Sequence, residues 1–284
     1  MRSIELVLEA GGRSRVRALS AFGLWLAALT LGAGSASARG APGPASTGPP
    51  APGHVVLVEL FTSQGCSSCP PADRLLSTIA EGSAGRVVTL EFHVDFWNSA
   101  GWTDPFSSKE WTERQVTYER KLGVKQIYTP QAVVDGGSEM VGSDEDRLRA
   151  AVASAEARPG GEIALHLEPS GSLVKVDAEV TVPEALRRQS LDLVLVVFER
   201  DLSTPVGRGE NVGRTLRNDY VVRTLARAGR LPPGGPEKTS HEASLRLSKN
   251  WDPSRLGVAA FLQDPKSLEI HGAAAQALAS RADN

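Results

Sequence analysis

Two thiols, Cys66 and Cys69, are the only cysteines in a chain of 284 residues, and they stand two residues apart in ELFTSQGCSSCPPAD, 59–73. Three kinds of chemistry begin from such a pair. It can be a redox couple, in which the first thiol attacks and the second resolves the mixed disulfide. It can be a static disulfide. It can also be half of a zinc set, completed by His or Asp. The spacing favours the first. A disulfide closed over two residues restricts the unfolded chain little and stabilises less than one between distant cysteines. Where a helix starts directly after the pair, its unpaired amides and positive end favour a thiolate at the first position. The metal alternative is short of ligands, because the chain has five histidines and no two of them form a ligand pair in sequence. His93 is the one candidate.

The elements around the pair supply that helix. HVVLVELF, 54–61, is a short Val- and Leu-rich run that reads as a buried strand. Pro70 and Pro71 open ADRLLSTIAEG, whose Leu75, Leu76 and Ile79 share one helical face. Proline is tolerated in a first helical turn, where amides lack intrahelical partners anyway. Cys66 therefore falls just before a helix N-terminus and Cys69 at its start. A second strand is expected in RVVTLEFHVDFW, 86–97. Parallel strands of a β-α-β unit end on the same side, so His93, Asp95 or Trp97 could approach the cysteines. The plainer role for His93 is a hydrogen-bonded histidine in a buried strand. A charged amphipathic helix over 106–122 follows, then a strand after Pro130 and a hairpin at Gly136-Gly137. Asp144 caps a last helix, EDRLRAAVASAEA. The order is β-α-β-α-β-β-α.

Beyond Pro159-Gly160-Gly161 the pattern changes. Val174, Val176, Ala178, Val180 and Val182 alternate with polar residues, the mark of a half-buried antiparallel strand. Similar runs at 162–168, 191–199, 243–248, 256–263 and 268–275 predict a β-rich, sandwich-like region. Two domains are thus expected, 54–160 and 161–284. The second holds one polar cluster, RGENVGRTLRND, 208–219, whose Glu210, Asn211 and Arg214 could bind a ligand, pack on the first domain or form a plain turn. Without a following Lys-Ser/Thr its glycines make no phosphate loop, and neither G-x-S-x-G nor H-E-x-x-H occurs.

Arg13, Arg15 and Arg17 precede an apolar run over 18–31 and then Ala36-Ser37-Ala38. That is the layout of a secretory signal over 1–38, too short for the roughly 20 residues of a spanning helix. The Pro/Gly/Ala-rich segment 39–53 reads as a flexible linker. Net charge is −2 with both signs interspersed, which argues against nucleic acid, or a membrane after signal cleavage, as partner. The mature protein is expected to be exported, periplasmic or extracellular.

A strand, a loop, C-x-x-C at a helix start and an X-Pro before a later strand, hairpin and helix together resemble the thioredoxin fold. More narrowly, ELFTSQGCSSCPPAD, HVDFWNSAGWTDPF, YTPQAVVDG and GENVGR resemble a family of secreted bacterial thioredoxin-like proteins known as a domain of unknown function. The resemblance covers nearly the whole mature chain. It implies that Thr129-Pro130 holds the place of the fold's cis-proline, facing the cysteines. The chain departs from that pattern at Gly65, where a tryptophan usually precedes the first cysteine. Its intervening dipeptide is Ser67-Ser68, neither the Gly-Pro of reductants nor the Pro-His of strong oxidants. Asp73 favours the helix but opposes the thiolate, so the Cys66 thiol is expected to be lowered less than in the strongest oxidants. The direction of electron flow stays open.

The expectation is an exported thiol–disulfide oxidoreductase on an α/β thioredoxin-like domain with an appended β-rich region. It would act on protein or small-molecule thiols, with a separate redox recycling partner and no cofactor beyond the Cys66–Cys69 disulfide. Cys66 attacks, Cys69 resolves, and Pro130 shapes the substrate-facing loop. The rival is a non-catalytic thioredoxin-like binding module, or a metal carrier, with a static disulfide. The metal carrier and the redox pair separate in solution. A redox pair leaves the purified protein without stoichiometric zinc or copper and with a melting temperature indifferent to chelators. Bound metal that disappears when both Cys66 and His93 are replaced would select the carrier.

Overall fold

The computed structural model describes residues 54–278, so the expected signal and linker lie outside the described residues. The first half runs β1 (Val56–Thr62), α1 (Pro70–Gly82), β2 (Val87–His93), a 3-10 turn (Phe96–Ala100), α2 (Lys109–Leu122), β3 (Gln131–Val134), β4 (Ser138–Val141) and α3 (Glu145–Glu156). β1 and β2 are parallel and in step from Val56↔Val87 to Thr62↔His93. β3 and β4 add antiparallel strands beyond β1. α2 starts on Ser108, whose side chain accepts the Glu110 amide, and ends on Gly123 at φ 70°. Asp144 accepts the Arg147 amide at the start of α3. β2 stops at His93, short of the expected Trp97, because Asp95 is drawn to α2 and the chain turns through Phe96–Ala100.

The second half comprises β5 (Glu162–Ser170), β6 (Leu173–Thr181), β7 (Leu191–Glu199), β8 (Leu202–Pro205) and β9 (Thr215–Asn218). It continues with β10 (Val221–Leu231), β11 (Lys238–Arg246), β12 (Leu256–Gln263) and β13 (Ile270–Ala277). The expected boundary at 160 does not divide the sheet. One eight-stranded mixed sheet runs β13-β12-β7-β10-β2-β1-β3-β4, with its two halves joined where Val221 of β10 pairs in parallel with Glu91 of β2. A three-stranded sheet, β11-β6-β5, packs on the β12-β7-β10 side through Val174, Val176, Leu193, Leu195, Val258 and their neighbours. β8 and β9 form a separate ribbon. β10 escapes sequence reading because Arg223, Arg227 and Arg230 break its apolar alternation. The structure accommodates them against carboxylates on β7, Arg223 with Glu199 and the other two with Asp192.

β1 is buried on both faces. Val56, Val58 and Leu60 pack against α1 and α3, whereas Leu57 and Phe61 lie under α2. Glu59 shares the α2 face and is fully buried. Arg114 Nε donates to it at 2.6 Å, and the Tyr118 hydroxyl donates to the other carboxylate oxygen. Gln263 of β12 donates to the Tyr118 oxygen at 3.0 Å. The Arg114 guanidinium sits 5.2 to 5.6 Å from the ring centroids of Phe92, Tyr118 and Phe261. Burial alone would favour its neutral form, but Glu59 keeps it charged. α2 thus ties β1 of the first half to β12 of the second. Arg114→Ala leaves Glu59 buried without its counter-charge and should cost about 3–5 kcal/mol in urea denaturation. The double variant Glu59→Gln with Arg114→Met should recover most of that loss, since no buried charge is then left alone.

Candidate functional site

Cys66 and Cys69 form a disulfide with Cα atoms 5.5 Å apart, and both are fully buried. Cys69 is the N-cap of α1, with Pro70 and Pro71 in the first turn. Its carbonyl accepts the Ala72 and Asp73 amides at 2.8 and 3.1 Å. A disulfide sulfur carries no proton, so the Ser68 hydroxyl, 3.3 Å from Cys66 Sγ, is the donor of that contact. A Cβ on Gly65 would stand 3.2 Å from Trp97 Cβ. Trp97 therefore covers the turn at the point where a side chain is missing. Its indole donates to Thr129 Oγ1 at 2.7 Å, and the Thr129–Pro130 peptide is cis. Pro130 in turn borders Gly142, beside Leu60 of β1 and Ala72 of α1.

Under the turn lies a buried polar layer. Thr62 Oγ1 donates to Asp73 at 2.7 Å, and Asn218 Nδ2 lies 3.5 Å from the other Asp73 oxygen and 3.1 Å from Glu91. Gln64 donates to Asn218 Oδ1 at 2.9 Å, while its own amide donates to Asp104 at 2.7 Å. His93 meets Asp104 through Nδ1 at 2.7 Å and Glu91 through Nε2 at 3.4 Å. Glu91 Oε1 is buried without a partner. Burial by itself would depress His93, but Asp104 and Glu91 outweigh it and push it up to about 10. The resulting imidazolium overcomes the burial of Asp104 and holds that carboxyl below its usual range. Burial, and after it the charge of Glu91, drives Asp73 well above the carboxylate range. Burial also raises Glu91, with His93 working against it. A raised Asp73 opposes a thiolate less than its sequence position alone would suggest.

The expected site residues divide clearly. Trp97 lies against Gly65 of the cysteine turn and holds Thr129, the residue before Pro130. His93 reaches the turn at one remove, through Asp104 and the Gln64 amide. Asp95 does not reach it, because its carboxylate accepts the Thr112 hydroxyl at 2.6 Å and faces α2. Glu210 and Asn211 do lie on the turn: Glu210 accepts the Ser67 amide, and Asn211 donates to the Gln64 and Cys66 carbonyls. Arg214 supports Asn211 rather than the turn itself. Gln64, Glu91, Asp104 and Asn218 escape sequence reading. An acid at position 91 inside VVTLEFH was the one available signal, since a carboxyl on a buried strand must find partners inside. Among the described residues no group of three His, Cys, Asp or Glu side chains is placed to hold a metal ion.

Fold and site define a mixed α/β protein with a C-x-x-C disulfide at a helix start, overlain by a loop from its own second half. The chain belongs to the DUF1223 family, described as a protein of unknown function, whose model matches residues 57–263 and so spans both halves. Among solved structures it is similar to a structural-genomics protein of Agrobacterium tumefaciens, with 28% identity, TM-score 0.62, and coverage of 82% of this chain and 97% of that one. It is also similar to HBP35 of Porphyromonas gingivalis at 16% identity and TM-score 0.57, covering 82% of this chain and 78% of that one, a likeness of fold alone. No curated protein matches significantly.

The buried layer gives stability a definite pH dependence. Folded His93 keeps its proton to about 10 and an unfolded histidine releases it near 6.5, so its contribution is complete below 6.5 and lost as pH climbs toward 10. Asp73 and Glu91, also raised, act in the same direction from their unfolded values of 3.8 and 4.5 upward. Asp104, lowered, contributes stability that disappears as pH falls below its unfolded 3.8. The urea midpoint should therefore decline between about pH 6 and pH 9. His93→Gln should lower it overall and flatten that decline. A midpoint level across this range in the native protein would contradict the assigned charges.

Proposed function

We propose that this chain is an exported thiol–disulfide oxidoreductase whose first half is a thioredoxin-like unit. The observation that carries the reading is the C-x-x-C disulfide at the N-cap of α1, joined through Trp97 to the Thr129-Pro130 loop. In the reductive half-cycle an incoming thiolate attacks Cys66 Sγ. The bond to Cys69 breaks, and the Cys69 thiolate leaves and takes a proton. The partner's second thiol then displaces Cys66, so that two electrons and two protons pass from a dithiol to the pair. The reverse sequence oxidises a dithiol substrate.

A protein substrate fits the surroundings. Among the described residues the exposed large hydrophobic side chains are Phe96, Val141 and Val212. They adjoin Trp97, Gly142 and Asn211, which contact Thr129, Pro130 and Cys66 respectively. One observation favours a second reading. Both cysteines are fully buried, as a static disulfide in a binding module would be.

Redox titration of the purified protein against dithiol buffers distinguishes the two. The oxidoreductase gives a reversible couple, and Cys69→Ser traps mixed disulfides through Cys66. A pair that stays oxidised to below about −300 mV, with no trapping, leaves the static disulfide.

A further inference from the structure

The loop joining β8 to β9, residues 206–214, reaches from the second half of the chain onto the cysteine turn. Glu210, Asn211 and Arg214 address that turn or one another. Asn211, fully buried, donates to the Gln64 and Cys66 carbonyls at 2.9 and 3.0 Å, and Arg214 Nη1 donates to Asn211 Oδ1 at 2.7 Å. Gly209, at φ 77°, lies so close to Trp102 that a Cβ would be 3.1 Å from the tryptophan Cβ. Those contacts hold the loop. Glu210 does something else: exposed to solvent, it places a carboxylate oxygen 3.0 Å from the Ser67 amide.

We propose that Glu210 sets the redox poise of the Cys66–Cys69 pair by holding a negative charge on the amide next to the attacking thiol. The inference rests on the redox reading of the pair. Backbone amides close to a cysteine lower its pKa by offering donors to its thiolate. Here the Ser67 amide is already taken by an anion. Contact with Ser67 also holds the Glu210 carboxyl below its usual range, so it is charged wherever the thiol titrates. Reduced Cys66 therefore ionises beside a carboxylate, its thiol stays higher than the helix alone would set it, and the disulfide is harder to reduce.

The other charges facing the turn are fixed by their own partners. Asp73 on α1 is held by Thr62 and Asn218, the His93 imidazolium is paired with Asp104, and Arg214 is held by Asn211. Exchanging Glu210 leaves these in place, along with the anchors of the loop.

Excess dithiothreitol prepares the reduced protein: the disulfide gains two electrons and two protons, and the dithiol closes to its cyclic disulfide. Thiolate absorbance is then titrated in the native protein, Glu210→Gln and Glu210→Ala. Glu210→Gln keeps an acceptor for the Ser67 amide and removes only the charge. Its midpoint should fall by about half to one pH unit, raising the thiolate fraction at pH 7 about threefold to tenfold. Above the midpoint, the equilibrium with dithiothreitol should move toward reduced protein by the same factor, about 15 to 30 mV. Added salt should shrink the difference. Glu210→Ala should shift at least as far.

A lower melting temperature with an unmoved midpoint would make Glu210 merely structural and overturn the inference. The two readings fail separately. A pair that will not exchange with substrate thiols, yet titrates lower in Glu210→Gln, loses the enzyme and keeps the tuning; a cycling pair indifferent to Glu210 does the reverse.

Discussion

Taking a charged side chain out of water costs several kcal/mol unless an opposite charge and a full set of hydrogen bonds replace the solvent. Asp73, Glu91, His93 and Asp104 are all buried in one layer beneath the cysteine turn, and no single segment of chain could satisfy them. β1 sends Thr62, the turn sends the Gln64 amide, and β9 sends Asn218. That last requirement places the second half of the protein. Once Asn218 reaches Glu91, the chain has only two residues before Val221 pairs with the same glutamate, and the direction of β10 follows. The single imidazolium pairs with Asp104, while burial raises Asp73 and Glu91 above their ordinary values.

The cysteine turn shows how a contact can be kept while its supplier changes. Position 65 carries no side chain, and the space beside it is filled by Trp97 from the 3-10 turn that follows β2. Because that indole also holds Thr129, one residue sets the spacing between the cysteine turn and the Pro130 loop.

Much of this was legible in the sequence wherever local pattern carried the information. The buried run of β1, the two prolines opening α1, the Asp144 cap and the strict alternation of β6 all announce themselves within a few residues. The order of elements through α3 follows from them. What stayed hidden depends on distance along the chain. Asn218 is 127 residues from Glu91, and nothing in TLRND marks it as the partner of an acid on another strand. β10 looks polar until its arginines are seen against Asp192 and Glu199. Asp95 looked as favourable as Trp97 by position, but the chain turns between them, sending one to α2 and the other to the cysteines.

The reach of Asn211 has a consequence in time. It lies 145 residues after Cys66, whose carbonyl it holds. A chain made or delivered N-terminus first presents its two thiols long before the loop that overlies them exists. At synthesis rates of about 5–20 residues per second, the interval is about 7 to 30 s. During that window the pair is as open to an oxidant as any unfolded cysteines. The contacts of that loop with the cysteine turn can therefore form only when the last third of the sequence has arrived.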